Sequence, residues 1–278
     1  MSDVGKTRKN NEDNFVFCDL RTGEAGQAPA RAEIPPHSPG WLWLVADGMG
    51  GEASGEVASQ LCVLTVPQQL QQSLGASPPA GEADFVRRLR ESLAVANQTI
   101  YRQAQSNAQQ RRMGTTATAA ALFGLSLFVA QVGDSRAYLE RGNQLTQLTR
   151  DQTLLNYLRD MGLAGSAEPE RDNRRNILTQ AVGSSANLDV KVTYAALRQG
   201  DRLLLCSDGL YSMVGDSDIL SVLKGPATLA DKCRSLIAHA NAAGGHDNIT
   251  VVLVEFGGAG LPQADPSAPV ECREFSET

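Results

Sequence analysis

Four aspartates stand at the same kind of place in this chain. WLWLVADGMGG (residues 41 to 51) is an apolar run shaped like a buried strand that breaks at Asp47 into glycines. LFVAQVGDSRAY repeats the layout around Asp134, RLLLCSDGL repeats it around Asp208, and GGHDNITVVLV reverses it around Asp247. Strand ends bring residues distant in sequence to one edge of a sheet. Like charges gathered there without partners are costly to desolvate, so a polyvalent cation is the natural reason for such a group. A turn at a glycine explains a lone Asp-Gly but accounts poorly for Asp47, Asp208 and Asp247 together. Asp134 keeps an alternative, a turn in which it bonds backbone amides or pairs with Arg136.

Specific residues disfavour other phosphate chemistries. No cysteine is followed six positions later by arginine, as a thiolate phosphatase loop requires: Ser212 holds that place after Cys206 and Gln68 after Cys62. Gly50 to Ser59 has P-loop-like glycine spacing but Glu56 where a phosphate-binding lysine belongs. Gly48 to Ala53 matches the dinucleotide fingerprint, yet Asp47 and Glu52 would face the pyrophosphate with negative charge, and no acidic residue closes a second strand about twenty positions on.

The elements that must carry these residues read as follows. Strands are expected at 14 to 20, up to Asp47, as a hairpin around Gly124, at 137 to 140, 188 to 196, 202 to 206 and 249 to 256. Helices are expected from Glu52 to about Thr65, where Pro67 should end or bend the run, and from 84 to 109. Shorter ones are expected at 151 to 161 with Asp151 as cap, 216 to 223 and 228 to 241. Residues 21 to 40 read as a surface insertion and 162 to 176 as a flap. Strands joined by turns, with helices grouped after them, give an α+β fold: a four-layer α-β-β-α sandwich of two antiparallel sheets flanked by helices. One domain, 1 to 256, is expected, with a disordered tail at 257 to 278 rich in Gly, Pro and acidic residues.

Composition sets bounds on partners. Of 278 residues, 42% are hydrophobic and the net charge is −6, with a pI near 5.2. That balance argues against a nucleic-acid or anionic-membrane surface. Five scattered cysteines without a CxxC pattern suggest reduced thiols rather than a disulfide frame or a thiolate zinc site. The polar first residues lack the apolar core of a signal peptide, so a cytoplasmic location is expected. The uncharged stretch from Thr115 to Gly133 is long enough to span a bilayer, but its threonines and valines favour strands, and no membrane insertion is expected. Thr115 and Thr116 are read as strand packing and His246 as a solvent-facing loop histidine.

RKNNEDNF (8 to 15), VADGMGGEASGEVAS (45 to 59), MGTTATAA (113 to 120), VGDSRAY (132 to 138), LTRDQT (148 to 153), ILTQAVG (177 to 183), CSDGL (206 to 210) and GGHDNITVV (244 to 252) occur in order. This series resembles that of the metal-dependent type 2C (PPM-type) serine/threonine protein phosphatases, and DGMGG with methionine resembles their bacterial branch. The resemblance implies that Asp47 bridges two metal ions, that Gly48 ligates through its carbonyl, and that Asp208 and Asp247 complete one ion. Glu12 and Asp13 would hold the other, directly or through water, Asp134 a third and weaker ion, and Arg8 the substrate phosphate.

An all-oxygen donor set suits Mg²⁺ or Mn²⁺. Two such ions would activate a bridging hydroxide for attack on phosphoserine or phosphothreonine, without a phosphoenzyme. Phosphorylated proteins, an opposing serine/threonine kinase and a monomeric state are the expected context. The alternatives are a non-catalytic relative that binds phosphopeptides and a hydrolase of small phosphoesters. Two departures matter. Relatives with histidine at the place of Met49 have a candidate general acid, which methionine cannot replace, and Gln152 stands where a histidine is common beside the flap.

Overall fold

The computed structural model describes residues 1–28, 38–51, 53–107, 110–163, 173–265 and 268–276. In chain order these form β1 (Ser2–Asp3), β2 (Asp13–Asp19), β3 (Ala25–Gly26), β4 (Pro39–Met49), α1 (Ala53–Ala76), α2 (Glu82–Ser106), β5 (Gly114–Thr115), β6 (Ala117–Phe123) and β7 (Ser126–Val132). There follow β8 (Arg136–Arg141), β9 (Gln144–Gln147), α3 (Leu154–Asp160), β10 (Lys191–Ala196), β11 (Arg202–Cys206), α4 (Asp208–Tyr211), α5 (Asp216–Lys224), α6 (Leu229–Ala242), β12 (Ile249–Glu255) and β13 (Arg273–Glu274).

One sheet has the order β1-β12-β11-β8-β9 and the other β13-β10-β7-β6-β4-β2-β3, with β5 added beside β4. All pairings are antiparallel. The two-residue period of a strand sorts its side chains into layers. In β4, Leu42, Leu44 and Ala46 pack under α1 and α2 with Leu70, Leu89 and Leu93. The alternate residues Trp43 and Val45 meet Leu203, Leu205 and Val252 of the opposite sheet. On that sheet's outer face Leu204, Cys206 and Val251 pack against Leu210, Ile219 and Leu236 of the short helices. The expected helix-sheet-sheet-helix sandwich is thus the fold.

Several elements depart from expectation. Pro67 neither ends nor marks a boundary of α1, which runs on to Ala76. An interior proline forfeits a helical hydrogen bond and costs about 3 kcal/mol. Val63, Val66, Leu70 and Leu74, all buried on either side of it, offset that cost, since each such burial is worth about 1.5–3 kcal/mol. The cap of α3 is Thr153, whose Oγ1 accepts from the Asn156 amide, and not Asp151, which is drawn to Arg136 instead. The tail expected to be disordered is docked where described. β13 pairs with β10, Val270 is buried between the sheets, and the Phe275 ring lies 5.9 Å from Phe128 and 5.8 Å from Tyr194. Glycine and acidic content hid these two apolar anchors.

The stretch 115 to 133 forms strands, with Gly124 turning the β6/β7 hairpin at φ 62°. Among the described residues no helix is long and apolar enough to cross a membrane. Of the flap, residues 164–172 lie outside the described residues, as do 29–37 of the 21 to 40 insertion.

Candidate active site

The acidic group assembles where the two sheets end together. In the β2/β4 ladder Asp13 stands directly opposite Asp47, and both continue the face that carries Phe15 and Val45, so both side chains point between the sheets. Like charges directly opposite are destabilising. The opposite sheet answers one of them: Ser207 Oγ and Thr250 Oγ1 donate to Asp13 Oδ2 at 2.6 and 2.7 Å. Burial nevertheless pushes the Asp13 carboxyl up to about 6, against the pull of those two hydroxyls. Asp47 is raised well above the ordinary range, first by burial and then by the charges of Asp13, Asp208, Asp134 and Asp247.

β4 runs two residues beyond Asp47, because Gly48 and Met49 pair with Thr115 and Gly114. Thr116 Oγ1 accepts from the Asp47 amide at 2.9 Å, and Thr115 Oγ1 donates to the Asp47 carbonyl at 2.9 Å. These threonines, read as strand packing, fix the backbone of the central aspartate. Gly48 admits no side chain, since a Cβ would stand 2.2 Å from the Gly55 carbonyl oxygen and 2.6 Å from that of Glu12.

Asp208 opens α4 immediately after Ser207. It is raised well above its usual value by burial and by Asp134, Asp247 and Asp13, and its buried Oδ1 has no hydrogen-bond partner. Asp247 precedes β12 and is half-exposed. Arg8 Nη2 donates to its Oδ2 at 2.6 Å, while the Asn248 amide donates to its Oδ1 at 2.8 Å. Glu12 is half-buried and raised by that burial, opposed by Arg8. Asn248, unremarked in the sequence, ties this corner together: its Oδ1 accepts from the Glu12 amide, and its Nδ2 donates to the carbonyls of Val4 and Asn10.

Asp134 sits in the turn between β7 and β8, where burial lifts it to about 6. Of the alternative reading, the pair with Arg136 does not form, whereas the carboxyl does take a hydrogen bond from its own backbone. Arg136 instead holds Asp151 through two bonds of 2.9 and 2.6 Å, and its guanidinium lies 3.6 Å from the centre of the Tyr211 ring. The Tyr211 hydroxyl donates to the Asp134 carbonyl at 3.1 Å. Ser207, Thr250, Asn248 and Tyr211 were all missed by inspection of motifs. The signal for Thr250 was a hydroxyl on the strand face that otherwise carries Val252.

Asp13, Asp47, Asp134, Asp208 and Asp247 thus form one group of interacting charges, which Arg8 and Glu12 join through Asp247, Asp208 and Asp13. Among the described residues no three acidic, histidine or cysteine side chains form a ready-made metal cage, consistent with Arg8 engaging Asp247. The donors nevertheless fit a hard cation. They are all oxygen, they repel one another in a buried place, and the Asp208 Oδ1 atom is buried with nothing to bind.

Comparison with known proteins agrees with this site. The family model for Protein phosphatase 2C matches residues 34–249, and the chain belongs to that family, in its bacterial branch. It is 35% identical to protein phosphatase PhpP of Streptococcus pneumoniae over 260 residues, covering 92% of this chain and 96% of that one. The crystal structure of the Mycobacterium tuberculosis serine/threonine phosphatase PstP/Ppp is similar at a TM-score of 0.75 and 35% identity, over 93% of this chain and 97% of that one. A structure of the PstP catalytic domain in complex with two manganese ions matches at 0.71 and 34%, over 92% and 95%.

Proposed function

We propose that this protein is a metal-dependent serine/threonine protein phosphatase that hydrolyses phosphoserine and phosphothreonine esters on proteins. Family membership supports the protein phosphatase activity, and the observation that carries the metal dependence is the grouping of buried carboxylates with the unpartnered Asp208 Oδ1. Asp47 and the Gly48 carbonyl, with Glu12 and Asp13, would hold one Mg²⁺ or Mn²⁺ ion. Asp47, Asp208 and Asp247 would hold a second, and Asp134 a third and weaker one. When bound, such a pair supplies Lewis-acid activation of water and neutralisation of phosphoryl charge.

The remaining work falls to the chain itself. Ser207 and Thr250 aim Asp13 by hydrogen bonds to one of its oxygens. Arg8 presents a half-exposed guanidinium at the mouth of the group. Its planar fork matches two phosphoryl oxygens, so it would orient the ester with phosphorus toward the carboxylates. Met49 cannot protonate the departing alkoxide, and no side chain here is assigned that task.

The test is phosphate release from a phosphothreonine peptide with Mn²⁺, with and without EDTA. Turnover that EDTA abolishes is expected. No turnover at saturating Mn²⁺, with tight peptide binding, would favour the non-catalytic reading instead, and turnover of small phosphoesters alone would favour the other. In the same assay Arg8→Ala is expected to lower kcat/KM by about 10²-fold, a loss of roughly 2.7 kcal/mol of transition-state stabilisation. Its folding stability should be nearly unchanged, because exposed ion pairs contribute about 0–1 kcal/mol. An Arg8→Ala enzyme within a factor of three of wild type would remove Arg8 from the site.

A further inference from the structure

Gln152 is the departure from the family pattern with no assigned task, and its surroundings give it one. Its side-chain Oε1 accepts from the Gly133 amide at 2.8 Å and from Gln180 Nε2 at 2.9 Å. Its Nε2 donates to the Gln131 carbonyl at 3.3 Å. The backbone repeats the pattern: the Gln152 amide donates to the Gly133 carbonyl at 3.0 Å, and the Gln152 carbonyl accepts from the Thr179 amide and hydroxyl, both at 2.9 Å. The polar groups of this one residue join two segments. One is the end of β7 and the turn that follows it, held at Gln131 and Gly133. The other is residues 177–180, which meet 153–154 through the Thr153/Leu178 bridge and the bond from the Leu154 amide to the Ile177 carbonyl.

The Asp134 turn has little slack elsewhere. Gly133 is at φ 95°, and a Cβ there would lie 2.7 Å from the Thr116 methyl carbon. Ser135 is held through its hydroxyl by Thr116 at 2.7 Å and through its carbonyl by Thr118 at 2.6 Å. Tyr211 holds the Asp134 carbonyl. The peptide that enters Asp134 is held at its carbonyl by the Gln152 amide and by Gln131 Nε2 at 3.2 Å, the peptide before it is held at the Gly133 amide by the Gln152 side chain, and the peptide that leaves Asp134 is held at its carbonyl by Tyr211 of α4. A glutamine, with one acceptor and one donor at the end of two methylenes, satisfies the Gly133 amide and the Gln131 carbonyl at once.

We infer that Gln152 is a positioning residue for Asp134, which couples the 177–180 segment to the acidic group. This rests on the phosphatase reading of that group. A residue acting through another shows itself in a double-mutant cycle, because a change that works only through Asp134 has nothing left to act on once Asp134 is altered.

The experiment compares wild type, Gln152→Leu, Asp134→Asn and the double variant. It measures kcat on the phosphothreonine peptide, Mn²⁺ binding by calorimetry, and amide hydrogen exchange in the 131–135 and 177–180 peptides. Gln152→Leu is expected to lower kcat by about 10-fold at an unchanged KM, in the range of positioning partners of metal ligands. It should quicken exchange at 131–135 and cause no further loss in the Asp134→Asn background. Losses that multiply in the double variant, or wild-type exchange at 131–135, would overturn the inference. Should Gln152→Leu not fold, Gln152→Asn, which is one methylene too short to reach both partners, is read by the same criteria. If the wild type releases no phosphate, the phosphatase reading falls, and exchange and Mn²⁺ binding alone still decide the coupling.

Discussion

Asp208→Asn is expected to lower Mn²⁺-dependent phosphate release by about 10³-fold or more while making the metal-free protein more stable. The first effect follows from removing a carboxylate that would hold a cation, in a place where the remaining acids cannot substitute for it. The second follows from the same environment. Asp208 is buried, repelled by Asp134, Asp247 and Asp13, and has an oxygen without a partner, so a neutral amide of the same shape relieves a penalty of about 1–3 kcal/mol. For a domain of this size that is a rise in Tm of a few degrees. Thermal scans in EDTA and with Mn²⁺ separate the two effects: the variant should start higher and gain less on adding Mn²⁺. A variant less stable than wild type in EDTA would show that Asp208 is satisfied in the metal-free fold.

The acidic group also sets a pH dependence for the protein in EDTA. Asp13 and Asp134 rise from an ordinary value of 3.8 to about 6 in the folded state, both by burial. Between those values the folded chain holds protons that the unfolded chain has released, so stability falls as pH rises. The loss from these two groups begins near pH 4 and runs to about pH 6, and Asp47 and Asp208, raised well above the ordinary range, act in the same direction. For Asp134 a shift of that size corresponds to about 3 kcal/mol. Mn²⁺ should therefore raise Tm more at pH 7.5 than at pH 5. Equal gains at both would mean that these carboxyls titrate normally.

Asp201→Ala carries the second large effect, on folding rather than chemistry, and is expected to cost about 3–5 kcal/mol. Asp201 is fully buried and accepts from Arg141 Nε and Nη2 at 2.8 and 2.7 Å. It also accepts from the Arg198 amide at 2.8 Å. Arg141 in turn donates to the Ala196 carbonyl at 2.8 Å. Truncating the aspartate leaves a buried guanidinium with its charge uncompensated, whereas the exposed Arg8–Asp247 pair can be lost at little cost because water replaces the partner. Urea unfolding in EDTA measures the difference directly. Replacing both partners, Arg141→Met with Asp201→Leu, should recover most of the loss. A single-variant cost below 1 kcal/mol would show that water reaches the guanidinium.

Local pattern was enough to determine a good deal of this protein. The continuous apolar runs in RLLLC and ITVVLVE set β11 and β12 almost to the residue, because each strand buries both faces between layers and its apolar residues are dictated locally. The apolar spacing of Phe85, Leu89, Leu93 and Ile100 set α2, because one face of that helix is buried and the other exposed. The acidic residues were legible by type, since a carboxylate at the end of an apolar strand has few other uses.

Tertiary structure alone decided the rest. Pro67 stays within a helix because α2 and the sheet bury the residues around it. Asp151 abandons the cap for Arg136, which arrives from another strand. The tail docks through Val270 and Phe275 because β10 offers an open edge and Phe128 and Tyr194 an aromatic surface. That Asp13 faces Asp47, that Ser207 and Thr250 bond Asp13, and that Asn248 bonds Glu12 depend on strand register and on which sheet faces which. The bonds of Ser207, Thr250 and Asn248 join residues 194 to 237 positions apart, a separation at which local sequence imposes no geometry and only the packing of the two sheets does.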